Sequence, residues 1–393
     1  METMKVILLG AGFMGKAIAK DLVRSEGVND IVLVDADCAK AQQVAASIAS
    51  DKLRSVELRF ENDEALKEVL QQGDVIINAM FYSHNERIAR LAIAAGVHSI
   101  DLGGSMAGAT DAVFALHEEA KAAGITIIPE LGVTPGMTNI LTGYGASKLD
   151  KVEEIKLYAG DIPVEPIPPI DYIEVFSIER MFDYYSGEAK GIYKWKEQEY
   201  PSMSGCEPIY FDEFGVLEAF YTAGGISTLA DSYPNVKTLT YKTVRYKGHA
   251  EKMKLLVDLG LFDIANSVKI DGKTVNVRKV IREALSKKLE AGKKADVLLV
   301  RVLVSGDQAE QQVTNEYELV LKRSAESEET AMAKATASSV SIVAQMVANG
   351  TITTRGVSAP EQVVPGEVYI EEMAKRNIRI KETIHRSSMI VKG

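Results

Sequence analysis

Cysteine is nearly absent from this chain. Cys38 and Cys206 are the only two among 393 residues, and they fall in different expected domains, which leaves neither a disulfide framework nor a CxxC metal site. A reducing, cytoplasmic setting is the simplest reading. Histidine is scarce too. The 5 residues stand at 84, 98, 117, 249 and 385 without an H-x-x-x-H pair, so no metal centre is expected. No run approaches the roughly twenty consecutive apolar residues of a membrane span, and the opening METMKVILLGAGFMG reaches glycine too soon for a secretory leader. Positive charge is in deficit, with 45 Lys and Arg against 55 Asp and Glu. That excludes a general affinity for nucleic acid or anionic membrane, both of which need a basic face. Internal repeats and low-complexity tails are missing as well.

What is present is ordinary globular composition, 46% hydrophobic and 25% charged, at a length that suggests two domains. Up to residue 130 short apolar runs alternate with amphipathic helical stretches. The strands read as KVILL (5–9), DIVLVDAD (30–37), VELRF (56–60), DVIINAM (74–80), HSIDLGG (98–104) and ITIIPE (125–130). Helices are expected over 38–50, 63–71, 84–95 and 110–123. Continuous apolar strands separated by helices imply a parallel sheet covered on both faces. The fold class is therefore α/β, a Rossmann-type doubly wound sheet.

GAGFMG (10–15) sits between the first strand and its helix. Gly10 permits a tight turn, Gly12 a close approach of backbone to a pyrophosphate, and Gly15 close helix–strand packing. Phe13 and Met14 lie in the same turn, ahead of helix amides that can face phosphates. Asp35 ends the second strand, 20 residues past Gly15, where a carboxylate accepts the ribose hydroxyls. No Arg or Lys follows before Lys40, so the cofactor is read as NAD rather than NADP. Asn78, Ala79, Phe81 and Tyr82 after the fourth strand, and Gly103 after the fifth, are candidates for the nicotinamide-ribose wall, because ligands of such sheets bind beyond the carboxyl ends of strands. The competing reading is ordinary loops with a core Phe81.

The bend PELGVTPGM (129–137) leads to a second kind of pattern. VEEIKLYAG (152–160) alternates as a half-buried strand, DIPVEPIPPID (161–171) is too rich in proline for a helix, and 207–211, 236–246, 295–306 and 311–321 read as strands, the last two as a hairpin. ETAMAKATASSVSIVAQMVANG (329–350) is a long helix stopped by Asn349–Gly350. The expected division is a dinucleotide-binding domain over 1–130 joined by a returning segment 328–393. An α+β substrate-binding and oligomerisation domain with a mixed or antiparallel sheet covers 131–327.

GAGFMG, DVIINAMFYSHN, AAGVHSIDLGG, AKAAGITIIPELGVTPGM, AGGISTL (223–229), RYKGHAEK (245–252) and GVSAPEQVVPGE together resemble the saccharopine dehydrogenase-like family, nearly end to end. EPIYFDEFGVLEAFYTAGG (207–225) is similar to the branch that deaminates the ε-carbon of L-lysine. The resemblance implies NAD-dependent oxidation of that carbon, release of ammonia and NADH, a cyclising 6-semialdehyde product and a homo-oligomer, dimer or higher. Where saccharopine dehydrogenases carry G-x-D-P-G this chain has Thr134, so no acid–base residue carries over from there. Saccharopine or a carboxylated polyamine as substrate, and a non-catalytic NAD-binding sensor, are the other readings.

Such chemistry needs a neutral substrate amine, a base for water attack and a cation for the remote carboxylate. Arg245 shares a strand face with Tyr241 and Thr243 and suits carboxylate recognition; the alternative is a strand end paired to an acid. His249 starts a helix and is a candidate acid–base group, hydrogen-bond donor or cap. Ser227 and Thr228, after two glycines, read as a carboxylate site or a plain helix start. Asp101 is the leading carboxylate for the substrate's α- or ε-ammonium, or else caps a turn. Glu130 is a site acid or a solvated loop residue, and Tyr172 closes over substrate or packs.

Overall fold

The computed structural model describes residues 4–58, 62–104, 108–175, 177–289, 295–324 and 327–387. The chain divides into two units, Met1–Tyr144 with Ala333–Ile378, and Gly145–Met332 with Arg379–Gly393. The first unit thus runs past residue 130, because the helix Met137–Ala146 buries Met137, Ile140 and Leu141. The tail beyond Ile378 belongs to the second unit through the strand Lys381–Ser387.

In the first unit the strands are β1 (Met4–Leu9), β2 (Val28–Asp35), β3 (Leu53–Glu57), β4 (Val75–Asn78), β5 (His98–Asp101) and β6 (Thr126–Ile128). With a short returning strand, Gly356–Val357, they form one sheet in the order Gly356–Val357, β6, β5, β4, β1, β2, β3. Every pairing in it is parallel. Ile7, Leu9, Val32 and Ile76 pack against Leu66 and Ile88 of covering helices, while Leu8, Leu33 and Ile77 are buried as well. Burial on both faces is why these strands read as unbroken apolar runs. β1 lies between β2 and β4, so the strand order reverses at its carboxyl end, where such sheets bind ligands. Asp37 accepts from Lys40 N at 3.1 Å and Asn62 from Ala65 N at 3.1 Å, capping the helices Cys38–Ile48 and Asp63–Leu70. The helix expected over 110–123 is two, Ala109–Phe114 and His117–Ala122, with buried Leu116 at the junction. The strand expected at 56–60 runs Leu53–Glu57, and residues 59 and 60 lie outside the described residues.

The second unit contains β7 (Lys151–Pro163), β8 (Glu188–Tyr193), β9 (Lys196–Pro201), β10 (Glu207–Phe211), β11 (Gly215–Tyr221), β12 (Thr238–Arg245), β13 (Ser267–Ile270), β14 (Lys273–Asn276), β15 (Asp296–Gln308) and β16 (Gln311–Lys322). Its large sheet runs β10, β11, β12, β7, β15, β16, Lys381–Ser387, with β8 and β9 attached beside β12. Only the β12–β7 pairing is parallel among these. The β15–β16 hairpin turns on Ala309 and Glu310, both at positive φ (49° and 62°), the backbone that a two-residue hairpin turn requires. One expectation needs correcting. The strand does not stop at residue 160 before a proline loop but continues to Pro163, opposite Asp296, because a proline at a strand's last residue forfeits only one donor. Asp161 is therefore a strand residue.

Candidate functional site

The cofactor cradle is shaped by missing side chains. Gly10 has φ +101°, and a Cβ there would lie 3.0 Å from Ala79 O; a Cβ on Gly15 would stand 1.8 Å from Gly10 O. Gly12 caps the helix Phe13–Arg24 with no side chain over its amides, and only Lys40 Nζ, at 4.0 Å, approaches the place of its absent Cβ. A pyrophosphate fits such a surface, since bare amides at a helix start carry partial positive charge. Asp35 is fixed at the end of β2 by accepting from Ala11 N at 2.6 Å and Asp37 N at 2.9 Å.

At the ends of β4 and β5 an amide chain ties the wall together. Asn78 Nδ2 donates to Asn85 Oδ1 at 2.9 Å, and Asn85 Nδ2 donates to Gly103 O at 3.2 Å. Ala79 N closes on Leu9 O at 2.8 Å. Phe81 is not a core residue: it is 54% exposed, with its ring 4.2 Å from that of Tyr82. Phe13 is likewise exposed and Met14 half-buried.

Two carboxyls lie behind this wall. Asp101 Oδ1 accepts from Gly103 N at 2.7 Å and from Glu130 N at 3.2 Å. Burial, then the charge of Glu130, pushes Asp101 up to about 7. Glu130 is fully buried at φ 67°, so it is not a solvated loop residue. Its Oε1 accepts from Gly104 N at 2.8 Å and from Thr110 Oγ1.

The second unit gathers a different set. Arg245 ends β12 and is 3% exposed. Its Nε donates to Tyr185 Oη at 3.2 Å and its Nη1 to Val244 O at 2.8 Å, and its guanidinium lies 4.8 Å from the ring centre of Tyr172. Among the described residues no carboxylate stands within ion-pair distance of it, so the strand-end ion pair is not formed. Asp161, a neighbour on β7, is buried with both oxygens lacking a donor. Burial, then Asp296, raises it well above the usual carboxylate range. The charge of Arg245 acts in the opposite direction on it, though the two side chains form no ion pair. Gly160 allows the close approach of this strand end, since a Cβ there would lie 2.1 Å from Val244 O and 2.9 Å from Arg245 Nη1.

His249 opens the helix His249–Asp258 and is fully buried. Nδ1 meets Ile170 O at 2.7 Å and Nε2 meets Tyr185 Oη at 3.0 Å. Burial, then Arg245, lowers it to about 3. With both nitrogens occupied, it is not an acid–base group that meets substrate directly, which corrects that expectation. The cap of its helix is Glu218, whose carboxylate accepts from Gly248 N at 2.8 Å and Ala250 N at 2.6 Å. Tyr172, 1% exposed within the core, is a platform beneath Arg245 rather than a closing lid. Ser227 has φ 42°, and Thr228 is the N-cap residue of a short helix of 4 residues, Leu229–Ser232, so a helix start is formed there as expected. Sequence reasoning missed Tyr185, Glu218 and Asp161. The available signal was a lone acid in an apolar strand, twice over.

Among the described residues no group of three or more His, Cys, Asp or Glu is placed to hold a metal, and no helix is long and apolar enough to cross a membrane. Residues 6–128 match the saccharopine dehydrogenase NADP binding domain, and residues 132–378 match the saccharopine dehydrogenase C-terminal domain. The chain belongs to the saccharopine dehydrogenase family. It carries a nicotinamide cofactor-binding domain. It is 25% identical over 280 residues to the NADP(+)-dependent, L-glutamate-forming saccharopine dehydrogenase of Saccharomyces cerevisiae, covering 67% of this chain and 60% of that one. It is also 25% identical over 182 residues to carboxynorspermidine synthase of Vibrio cholerae, covering 40% and 44%. Carboxyaminopropylagmatine dehydrogenase of Synechocystis is 28% identical over 148 residues, 36% and 37% of the two chains. The alignment thus spans about 60% of the yeast relative's length. The solved apo yeast saccharopine dehydrogenase superposes with a TM-score of 0.80 at 19% identity, over 97% of this chain and 100% of that chain, a likeness of fold.

Proposed function

We propose that the protein is an NAD-dependent lysine 6-dehydrogenase, which oxidises the ε-carbon of L-lysine and releases ammonia. The observation that carries this reading is Arg245: a permanent charge, almost fully buried, with no carboxylate within ion-pair distance among the described residues. Burying such a charge without an ion-paired carboxylate costs several kcal/mol, on the order of what an arriving carboxylate returns. Bound NAD supplies the hydride acceptor. Gly10, Gly12, Gly15 and Asp35 hold its phosphates and ribose, and Asn78, Phe81 and Gly103 shape the nicotinamide end. Asp101, near 7, can take up and return a proton at neutral pH, as deprotonation of the substrate amine (pKa about 10.4 when free) and attack of water require. His249 stays neutral throughout.

Asp35 and Asp37 at the ribose end favour NAD, whereas Lys40, whose Nζ lies near Gly12, is a cation that would assist a 2′-phosphate. A second reading, a carboxylated secondary amine such as saccharopine or a carboxylated polyamine, is favoured by the names of the relatives. The test is incubation with L-lysine at alkaline pH and either NAD or NADP, following reduced cofactor and free ammonia together. Equal rise of both with NAD, at least about tenfold faster than with NADP, is expected; reduced cofactor only from a secondary amine, with no ammonia, would establish the second reading instead.

A further inference from the structure

Arg245 reaches its place through a chain of bonds in which every proton has a fixed position. Ile170 O can only accept, so His249 Nδ1 carries the ring proton toward it at 2.7 Å. His249 is neutral, so Nε2 is a bare acceptor, and the Tyr185 hydroxyl must donate to it at 3.0 Å. That commitment leaves a lone pair of Tyr185 Oη for Arg245 Nε–H at 3.2 Å. A tyrosine free to rotate could turn its own proton toward the guanidinium; here it cannot. Val244 O takes one Nη1–H at 2.8 Å, and the Tyr172 ring lies 4.8 Å from the guanidinium carbon. Of the five guanidinium donors two are thus used, which leaves one Nη1–H and both Nη2–H groups for a carboxylate, a planar acceptor that can take two parallel bonds from them.

We propose that Tyr185 and His249 are positioning residues for the substrate carboxylate, a proton-ordered strut that fixes which edge of Arg245 is presented. The inference rests on the reading of Arg245 as the carboxylate anchor, but not on the identity of the amine. Neither residue touches the reacting carbon in this account. The strut spans three separate segments: Tyr185 is in the helix Ile178–Ser186, His249 begins the helix His249–Asp258, and Ile170 lies in the loop after β7. Disturbing any of them should reach substrate affinity through Arg245.

The test is a double-mutant cycle on the full chain with NAD present. Tyr185→Phe, nearly isosteric, should raise KM for L-lysine about tenfold with most of the loss in KM rather than kcat. In an Arg245→Ala background it should add almost nothing, because the group it orients is gone. Hexanoate, a bare carboxylate, is titrated by calorimetry in parallel, so that the strut is measured without turnover. His249→Gln, whose side-chain oxygen can accept from Tyr185, should retain more hexanoate affinity than His249→Leu; if the leucine variant does not fold, the Tyr185 cycle decides. Additive losses, or unchanged hexanoate affinity in Tyr185→Phe, would overturn the strut. Hexanoate binding that depends on Arg245 and Tyr185 in a protein inactive on lysine would uphold the strut and refute the lysine reading.

Discussion

In the parallel-sheet unit the proposed ligand surface is mostly backbone: glycines at 10, 12 and 15, amides at a helix start, and the Gly103 carbonyl tied through Asn78 and Asn85. In the mixed-sheet unit the proposed surface is a side chain held by others. Tyr172 and Tyr185 from one stretch of the chain and Arg245 and His249 from another, some sixty residues on, meet in one buried cluster. The first arrangement tolerates many side chains around it but almost no added atom at Gly10 and Gly15. The second depends on long polar groups whose burial is offset only by their bonds to one another.

The sharpest way to break that contrast is at Gly15. An alanine there sets its Cβ 1.8 Å from Gly10 O, backbone against backbone, which no rotamer relieves. Affinity for NADH should fall at least about 100-fold, since the turn itself must move. Fluorescence titration measures this, and calorimetric binding of hexanoate should survive, because the cluster of the second unit shares no residue with the turn.

The reciprocal change is Arg245→Ala. It should raise KM for the amino-acid substrate at least about 30-fold, the scale of losing one partner of a buried charged contact, while leaving NADH affinity unchanged. An unchanged KM in steady-state kinetics would remove Arg245 from substrate binding. Arg245→Lys should not restore the wild type, because a single ammonium replaces the planar fork.

The same contrast explains what could be read from the sequence. Period and glycine spacing are local, so the parallel sheet, the cradle and Asp35 were legible: KVILL, GAGFMG and DIVLVD carry them within thirty-odd residues. Arg245 was legible as a buried residue because strand period put it on the packed face. Its surroundings were not. Tyr185 becomes meaningful only when the helix Ile178–Ser186 packs near β12, and Asp161 was assigned to a loop because prolines follow it. His249 was noticed for its chemistry, yet full burial turned a presumed acid–base group into a neutral hydrogen-bond relay.

The smallest expected effect separates the units by pH. Asp101 is raised to about 7 in the folded chain from an ordinary 3.8, so between roughly pH 4 and 7 the folded form keeps a proton that the unfolded form releases. Its contribution to stability is fully present below pH 4 and is lost as pH rises through 7. His249 is lowered to about 3 from 6.5, so the unfolded form binds the proton first. Its contribution is present above 6.5 and is lost as pH falls toward 3. The two slopes oppose each other between about 4 and 6.5. Asp101→Asn removes the first without touching the second. At pH 8 the variant should be more stable than wild type, on the order of 1 kcal/mol because Asp101 shares the effect with Glu130, and the two should converge near pH 4. Thermal melts across pH 4 to 8 read this directly. A variant whose stability difference stays flat over that range would show that Asp101 is already ionised at neutral pH, and the proton-transfer role would pass to Glu130, the other buried carboxyl at that wall.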